Sequence, residues 1–317
     1  MGIPAVSVII PAYNAAGSLA ETVASVQAQT WTDWEALIID DGSSDGTAAL
    51  VRDLQAEDAR IRLLCVANGG VSAARNRGVA GTHASLIAFL DADDLWYPAK
   101  LRLHLDHFRG DAALGVSFDR VAFLTPSGLP TGQHSRSRLR QLAPEHFLYE
   151  NPTTTTSTWV VRRTVFDQVG GFHPQMSYSE DLEWLLRVRC AGWRIAGLEQ
   201  VLTGYRTSEG GLSSDLLRME AGWERLVEQA RPYAPELVEA HLSRARAVHL
   251  RYLARRSLRL NASATGLGVG FMNQALRSDP WLLLRQPRRT WLTLAAVQLR
   301  RLWRQARPLL PPWRRSR

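Results

Sequence analysis

Four times in the first 90 residues a short apolar run rich in β-branched side chains gives way to polar or turn-forming residues. The runs are Val6–Ile10, Glu35–Asp40, Ile61–Val66 and Ser85–Leu90. Val6–Ile10 suits a buried parallel strand better than a helix, and the other three runs read as further strands of the same pattern. Helical spacing fills the gaps between them. Leu19, Val23 and Val26 follow Ser18-Leu-Ala-Glu21, a capping-box pattern, and further helices run over Thr47–Gln55 and over Val71–Val79, stopping near Gly81. Strands alternating with helices in this way predict an α/β fold, doubly wound, with a mostly parallel sheet flanked by helices. In such sheets ligands sit beyond the carboxyl ends of the strands. Those ends are Pro11 to Asn14, Asp40 to Ser44, Asn68 to Gly70 and Asp91 to Asp94, which gathers polar and acidic residues along one edge.

The rest of the chain is less regular. A helix is expected over 99–109, irregular sequence to about 150 with an exposed loop at Ser135–Arg140, a strand over Thr153–Val161, a helix over Glu180–Arg189, and almost wholly helical sequence from 216. The 317 residues accommodate one large α/β domain, 1–215, and a helical, Arg-rich region, 216–317. Charge divides the chain in a similar place. Residues 244–317 hold 17 arginines and one acid, whereas residues 1–243 hold 21 basic against 29 acidic side chains. Two cysteines, Cys65 and Cys190, are too few for a disulfide framework and point to a reduced, cytoplasmic setting. The first residues lack the basic start of a signal peptide, and no stretch of 18 apolar residues suggests a membrane span.

The sharpest chemical signal is Asp91-Ala-Asp93-Asp94, three carboxylates in four positions after an apolar strand. Crowded carboxylates repel, and a hard divalent cation relieves them; a solvated acidic turn ahead of the next helix is the plainer reading of the same residues. Asp40-Asp41-Gly42-Ser43-Ser44-Asp45-Gly46-Thr47 offers a strand-end carboxylate to a base or ribose, or builds an Asx turn and helix cap. Gly69 and Gly70 precede a helix start suited to an anion. Neither a G-x-G-x-x-G fingerprint nor a P-loop is present.

Six blocks in order, SVIIPAYN (7–14), IIDDGSSDGT (38–47), GGVSAARNRG (69–78), FLDADDLWYP (89–98), VGGF (169–172) and SEDLEWLLR (179–187), resemble the family 2 glycosyltransferases of the GT-A fold over about residues 4–210. The resemblance implies a nucleotide-diphosphate sugar donor whose base and ribose contact Pro11, Tyr13 and Asp41, with Arg75 near the same nucleotide. It implies Asp91 for the ribose, Asp93 for a Mg²⁺ or Mn²⁺ ion on the diphosphate, and Asp94 in support. It also implies Asp181 as the base of an inverting transfer, taking the proton of an acceptor hydroxyl as that oxygen attacks the anomeric carbon.

Two features depart from the family pattern. The family often places a histidine near the phosphates after the last core strand, and Tyr205–Ser214 contains none. Gln298-Leu-Arg-Arg-Leu-Trp303 is not the Q-x-x-R-W motif of the processive synthases, so single-sugar transfer to a glycan or lipid-linked acceptor in cell-envelope polysaccharide or lipopolysaccharide synthesis is expected. A nucleotidyltransferase and an inactive nucleotide-sugar-binding protein are the alternatives. Trp96 and Trp184, beside the acidic blocks, are candidates for lining an acceptor site, and the eight histidines show no metal spacing. In the tail, 281–317, Trp291, Leu294, Ala295, Gln298, Leu302 and Trp303 form one face of a helix, with Arg300, Arg301 and Arg304 in reach of headgroups. Such a helix suits an anionic membrane surface, and hence a peripheral place at the inner face of the cytoplasmic membrane; packing on the acidic part of the chain is the other reading. No motif supports nucleic-acid binding.

Overall fold

The computed structural model describes residues 2–207, 214–260 and 264–306. The chain forms two compact units, Met1–Phe147 with Asn151–Ser208, and Leu148–Glu150 with Glu209–Arg317.

In the first unit the alternation predicted from sequence appears in order: β1 (Val6–Ala12), α1 (Leu19–Gln27), β2 (Trp34–Asp40), α2 (Thr47–Glu57), β3 (Ile61–Cys65), α3 (Val71–Ala80) and β4 (Leu86–Phe89). There follow β5 (Leu95–Trp96), α4 (Lys100–Phe108), β6 (Leu114–Leu124), β7 (Pro130–His134), α5 (His146–Tyr149), β8 (Val160–Arg162), α6 (Arg163–Val169), α7 (Glu180–Cys190) and β9 (Arg194–Arg206). All nine strands join one sheet in the order β3-β2-β1-β4-β8-β6-β9-β5, with β7 paired to β6. Strands β3, β2, β1 and β4 are parallel; β8 enters antiparallel to β4 and to β6, and β6 and β9 run parallel again. Every residue of β1 is buried, as a strand covered on both faces requires. Helix α3 lies close on this sheet because position 78 is glycine: a Cβ there would fall 2.4 Å from Ile9 Cγ2 and 2.7 Å from Ile39 Cδ1.

Three local expectations are corrected. The capping box at α1 does not form: Ser18 Oγ donates instead to the Ala92 carbonyl at 2.8 Å, and Glu21 pairs with Arg206 at 2.6 Å. Both side chains are drawn away by the Asp91–Asp94 loop and its neighbour, which offer longer-range partners than the helix start. The stretch after residue 110 is not irregular but holds the eleven-residue β6 and the hairpin strand β7. Its pattern was obscured because Ser117 and Asp119 are polar yet fully buried, answering polar groups on α4. The expected strand over 153–161 begins only at Val160, preceded by a 3₁₀ turn at Thr156–Thr158. Thr158 Oγ1 donates to the carbonyls of Thr153 and Thr155, and such local hydroxyl bonds compete with a ladder.

The second unit is built from α8 (Leu216–Ala230), α9 (Pro235–Ser257), α10 (Ala264–Ser278), α11 (Leu282–Arg285) and α12 (Pro287–Ala306). Its core joins Leu250, Leu253 and Ala254 of α9 to Val269, Met272 and Ala275 of α10 and Val297 of α12. Glu150 anchors two of these helices, accepting from Arg251 and Arg289. The face predicted for the tail helix is corrected in part. Leu294 turns toward the core, and Arg300 donates to the carbonyls of Ser257 and Leu260 instead of reaching outward. Residues 307–317 of the predicted basic tail lie outside the described residues; among the described residues no helix is long and apolar enough to cross a membrane.

Candidate active site at the strand ends

The loops after β1, β2 and β3 are tied to one another by polar bonds. Asn14, held at φ 49°, donates its backbone N–H to Ser43 Oγ at 2.9 Å and accepts from the Ser44 N–H at 2.9 Å. Asp41 is buried, and its two oxygens accept from the amides of Gly69 and Gly70 at 2.9 and 2.8 Å. It thereby fixes the approach to α3, while each oxygen keeps lone-pair capacity for a ligand. Pro11 lies in the ladder opposite Ile39, and Tyr13 stands 57% exposed at the rim.

Arg75 of α3 is the hinge between two acidic groups. Its buried guanidinium donates to Asp91 at 2.7 Å and to Glu180 at 3.0 Å, which joins the end of β4 to the start of α7. Thr155 and Thr156 hydroxyls also face Asp91, at 3.2 and 3.4 Å. Asp94 is buried behind them, accepting from the Arg206 N–H at 3.0 Å, and burial together with the Asp93 and Asp91 charges holds its pKa well above the usual carboxylate range. Asp93 is raised to about 6, first by burial and then by the Asp91 charge.

Asp181 is the second residue of α7, two positions after Ser179, which adopts a left-handed conformation at φ 57°. Its carboxylate accepts from the Leu182 N–H at 2.7 Å and from Asn151 Nδ2 at 2.5 Å. Asn151 is itself held by an Asx turn, its Oδ1 accepting from the Thr153 and Thr154 amides, so its Nδ2 is aimed. Burial, then the neighbouring Glu180 charge, raises Asp181 to about 7. A carboxylate with that affinity for protons is suited to general-base work near neutral pH. Of the four non-glycine residues at positive φ among the described residues, Asn14, Thr154 and Ser179 border these groups, the usual place for stored backbone strain.

The sequence motifs also meet behind the polar surface. Phe89, Trp159, Phe166, Phe172 and Trp184 stack into one aromatic core, with Phe89 5.5 Å from Phe172 and Trp184 4.5 Å from Phe166 between ring centroids. Asn76 of α3 clamps the Phe172 backbone, donating to its carbonyl at 2.7 Å and accepting from its N–H at 2.8 Å. Gly171 is needed there, since a Cβ would lie 2.4 Å from Asn76 Oδ1. Trp184 is therefore core, and Trp96 is buried with its indole N–H on the Ser157 carbonyl, so neither lines an open acceptor site.

Sequence reading missed the support. Lys100, the one lysine in the chain, is fully buried, ion-paired with Asp119 and donating to the Thr158 carbonyl at 3.1 Å and to Thr203 Oγ1 at 3.2 Å. His104 completes the cluster between Ser117 and Asp119, its pKa lowered to about 4 chiefly by burial. A lysine retained where every other cation is arginine was the available signal. Arg206 stands in the segment where the family histidine is often found; it donates to the Asp93 carbonyl at 3.0 Å, and residues 208–213 of that segment lie outside the described residues.

Among the described residues no three His, Cys, Asp or Glu side chains form a ready metal cage. The acidic loop fits the other kind of site, in which Mg²⁺ or Mn²⁺ takes one or two carboxylates and completes its shell with phosphate oxygens and water. Asp93, raised by burial and by the neighbouring Asp91 charge, matches that requirement, while Asp91 already has Arg75 as its partner.

Residues 7–170 match the family described as glycosyl transferase family 2. The teichuronic acid biosynthesis glycosyltransferase TuaG of Bacillus subtilis, itself assigned provisionally, is 30% identical over 218 residues, 67% of this chain and 82% of that one. The chain spans about a third or less of several other curated relatives. Among solved structures, S. aureus TarS 1–349 in complex with UDP-GlcNAc superposes with a TM-score of 0.60 at 16% identity, covering 95% of this chain and 92% of that one. The mannosyltransferase PcManGT of Pyrobaculum calidifontis, in complex with GDP-Man and Mn²⁺, gives 0.58 at 20% identity over 96% and 88%. The strand-end loops, the Arg75 bridge and the acidic loop are thus those of a chain with relatives of one kind, and this protein belongs to glycosyltransferase family 2, with a GT-A fold and a helical C-terminal region.

Proposed function

We propose that the chain is an inverting glycosyltransferase that moves one sugar from a nucleotide-diphosphate sugar to a hydroxyl of a glycan or lipid-linked acceptor. The observation that carries this reading is Asp181: pinned by Asn151, raised to about 7, and linked through its neighbour Glu180 and Arg75 to Asp91. In it, Pro11, Tyr13 and Asp41 receive the base and ribose, Asp91 holds the ribose, and Arg75, bonded to Asp91 at 2.7 Å, orients it. Asp93 would hold Mg²⁺ or Mn²⁺, which offsets charge on the departing diphosphate when bound. Asp181 takes the acceptor hydroxyl proton while that oxygen forms the new bond to the anomeric carbon and the bond to the diphosphate breaks. The donor complexes of the TarS and PcManGT structures support a nucleotide sugar, and the second supports a divalent ion. The teichuronic acid assignment of TuaG supports cell-surface polysaccharide synthesis, and a peripheral place at the inner face of the cytoplasmic membrane is part of the same proposal. Residues 1–215 carry this chemistry.

Donor binding and turnover across a panel of UDP-, dTDP- and GDP-sugars, with Mn²⁺ or with EDTA, test the assignment. Wild type should bind one donor in a metal-dependent way, and Asp93→Asn should abolish that dependence. Asp181→Asn should keep donor affinity within about threefold and lose about 10³-fold in kcat, within the range for a general base. Undiminished turnover by Asp181→Asn overturns the base assignment; donor binding without turnover by wild type identifies an inactive binding protein.

A further inference from the structure

Helix α12 is packed on one side and carries exposed apolar side chains on the other. Thr290, Thr293 and Val297 are buried against the rest of its unit. At 100° per residue, Trp291, Leu292, Ala295, Leu299, Leu302 and Trp303 fall within about 120° of arc centred roughly opposite that packed face. All six are exposed, and the five large ones are between 49% and 65% exposed. Seven of the fourteen exposed large apolar side chains among the described residues lie between Trp281 and Trp303, a concentration that marks a contact surface.

We infer that this outer face of α12 lies in the interface of an anionic lipid bilayer. The charge pattern selects that occupant: residues 281–306 contain six arginines and no acid. Three are used internally, Arg285 on Asp279, Arg289 on Glu150 and Arg300 on backbone carbonyls, whereas Arg288, at the centre of the outer arc, is exposed without an ion-pair partner among the described residues; Arg301, also exposed, lies about 140° away from that centre. A second copy docked on the same face would bring like charges together. A bilayer carrying anionic headgroups accepts the arginines and takes the tryptophans and leucines about 5–10 Å into the headgroup boundary, without a spanning helix. The inference deepens the membrane-side reading above and rests on it for the class of acceptor; the exposed face stands independently of the donor.

Flotation of the full chain with vesicles of phosphatidylcholine alone, or with 30% phosphatidylglycerol, tests it. Wild type should bind the anionic vesicles at least tenfold more tightly than the neutral ones. The triple variant Trp291→Ser, Leu299→Ser, Trp303→Ser should lose tenfold or more, and Arg288→Gln should lose about fivefold. Donor hydrolysis by these variants should equal that of wild type, which also shows that they fold. Absence of wild-type binding to anionic vesicles overturns the inference, as does unchanged binding by the triple variant. A lipid-indifferent dimer that the triple variant turns into monomer assigns the face to a second copy instead. Vesicle binding with no donor binding breaks the transferase reading and leaves this one standing.

Discussion

Strands β1 and β4 are apolar along nearly all their length and leave their chemistry to the loops at their ends, whereas β6 and β9 bury Ser117, Asp119 and Thr203 inside the sheet. The first plan needs little more than apolar burial to set its register, because a one-residue slip would expose an apolar side chain to a loop. The second plan depends on pairing, since a polar or charged group out of water is costly unless every partner is present. Lys100 meets Asp119, Thr203 and the Thr158 carbonyl at once, and the 3₁₀ turn that carries Thr158 also carries Thr156 toward Asp91. The regular half therefore supplies the donor-side loops, and the polar half sets where their supporting hydroxyls stand.

That contrast can be broken by variants on either side. The largest effect expected is on turnover: Asp181→Asn, which touches neither plan's packing, should cost about 10³-fold in kcat with the unfolding midpoint in urea close to wild type. Next, Lys100→Met should destabilise the fold by about 3–5 kcal/mol, read from urea unfolding, because it strands the buried Asp119 carboxylate. Replacing both partners, Lys100→Met with Asp119→Leu, should recover most of that loss, and failure to recover would show that the pair does more than neutralise itself.

A pH profile sharpens the role of the aimed Asn151. Asp181 must be the anion to accept a proton, and its pKa is raised to about 7, so kcat/KM should fall tenfold per unit as pH drops below 7 and level off above it. Removing a donor from a carboxylate disfavours the charged form, so Asn151→Ala should move that midpoint upward by about one unit. A purely structural Asn151 would lower the rate without moving the midpoint. The smallest effect lies in the regular half. Ser18→Ala should cost about 1 kcal/mol, through the lost bond to the Ala92 carbonyl and not through helix capping, so a compensating cap placed elsewhere on α1 should not restore that bond. The Asp91–Asp94 loop is then held from α1 by Thr22.

The four strand runs, their helices and the polar strand ends were legible because apolar periodicity is written in consecutive residues. The crowding of Asp91, Asp93 and Asp94 was equally visible, because these acids are near neighbours in the chain, whereas Asp181 was singled out only by the resemblance of its block. Asn151, Thr155, Lys100 and Arg206 were not, since each matters through a partner between 19 and 113 residues away. The same distance hid β6, whose buried Asp119 looks like a loop residue until Lys100 stands opposite it. The tail shows the converse. Its arginines and tryptophans were evident in the sequence, but which side of α12 packs was decided by α9 and α10, because Leu294 and Trp291 are equally apolar and only a neighbouring helix chooses between them. Sequence alone determined the order of the elements from β1 to β4 and the acids at their ends, through local periodicity. Tertiary structure decided the pairing of buried charges and the choice of exposed face, because desolvation is settled only by what surrounds a group in the folded chain.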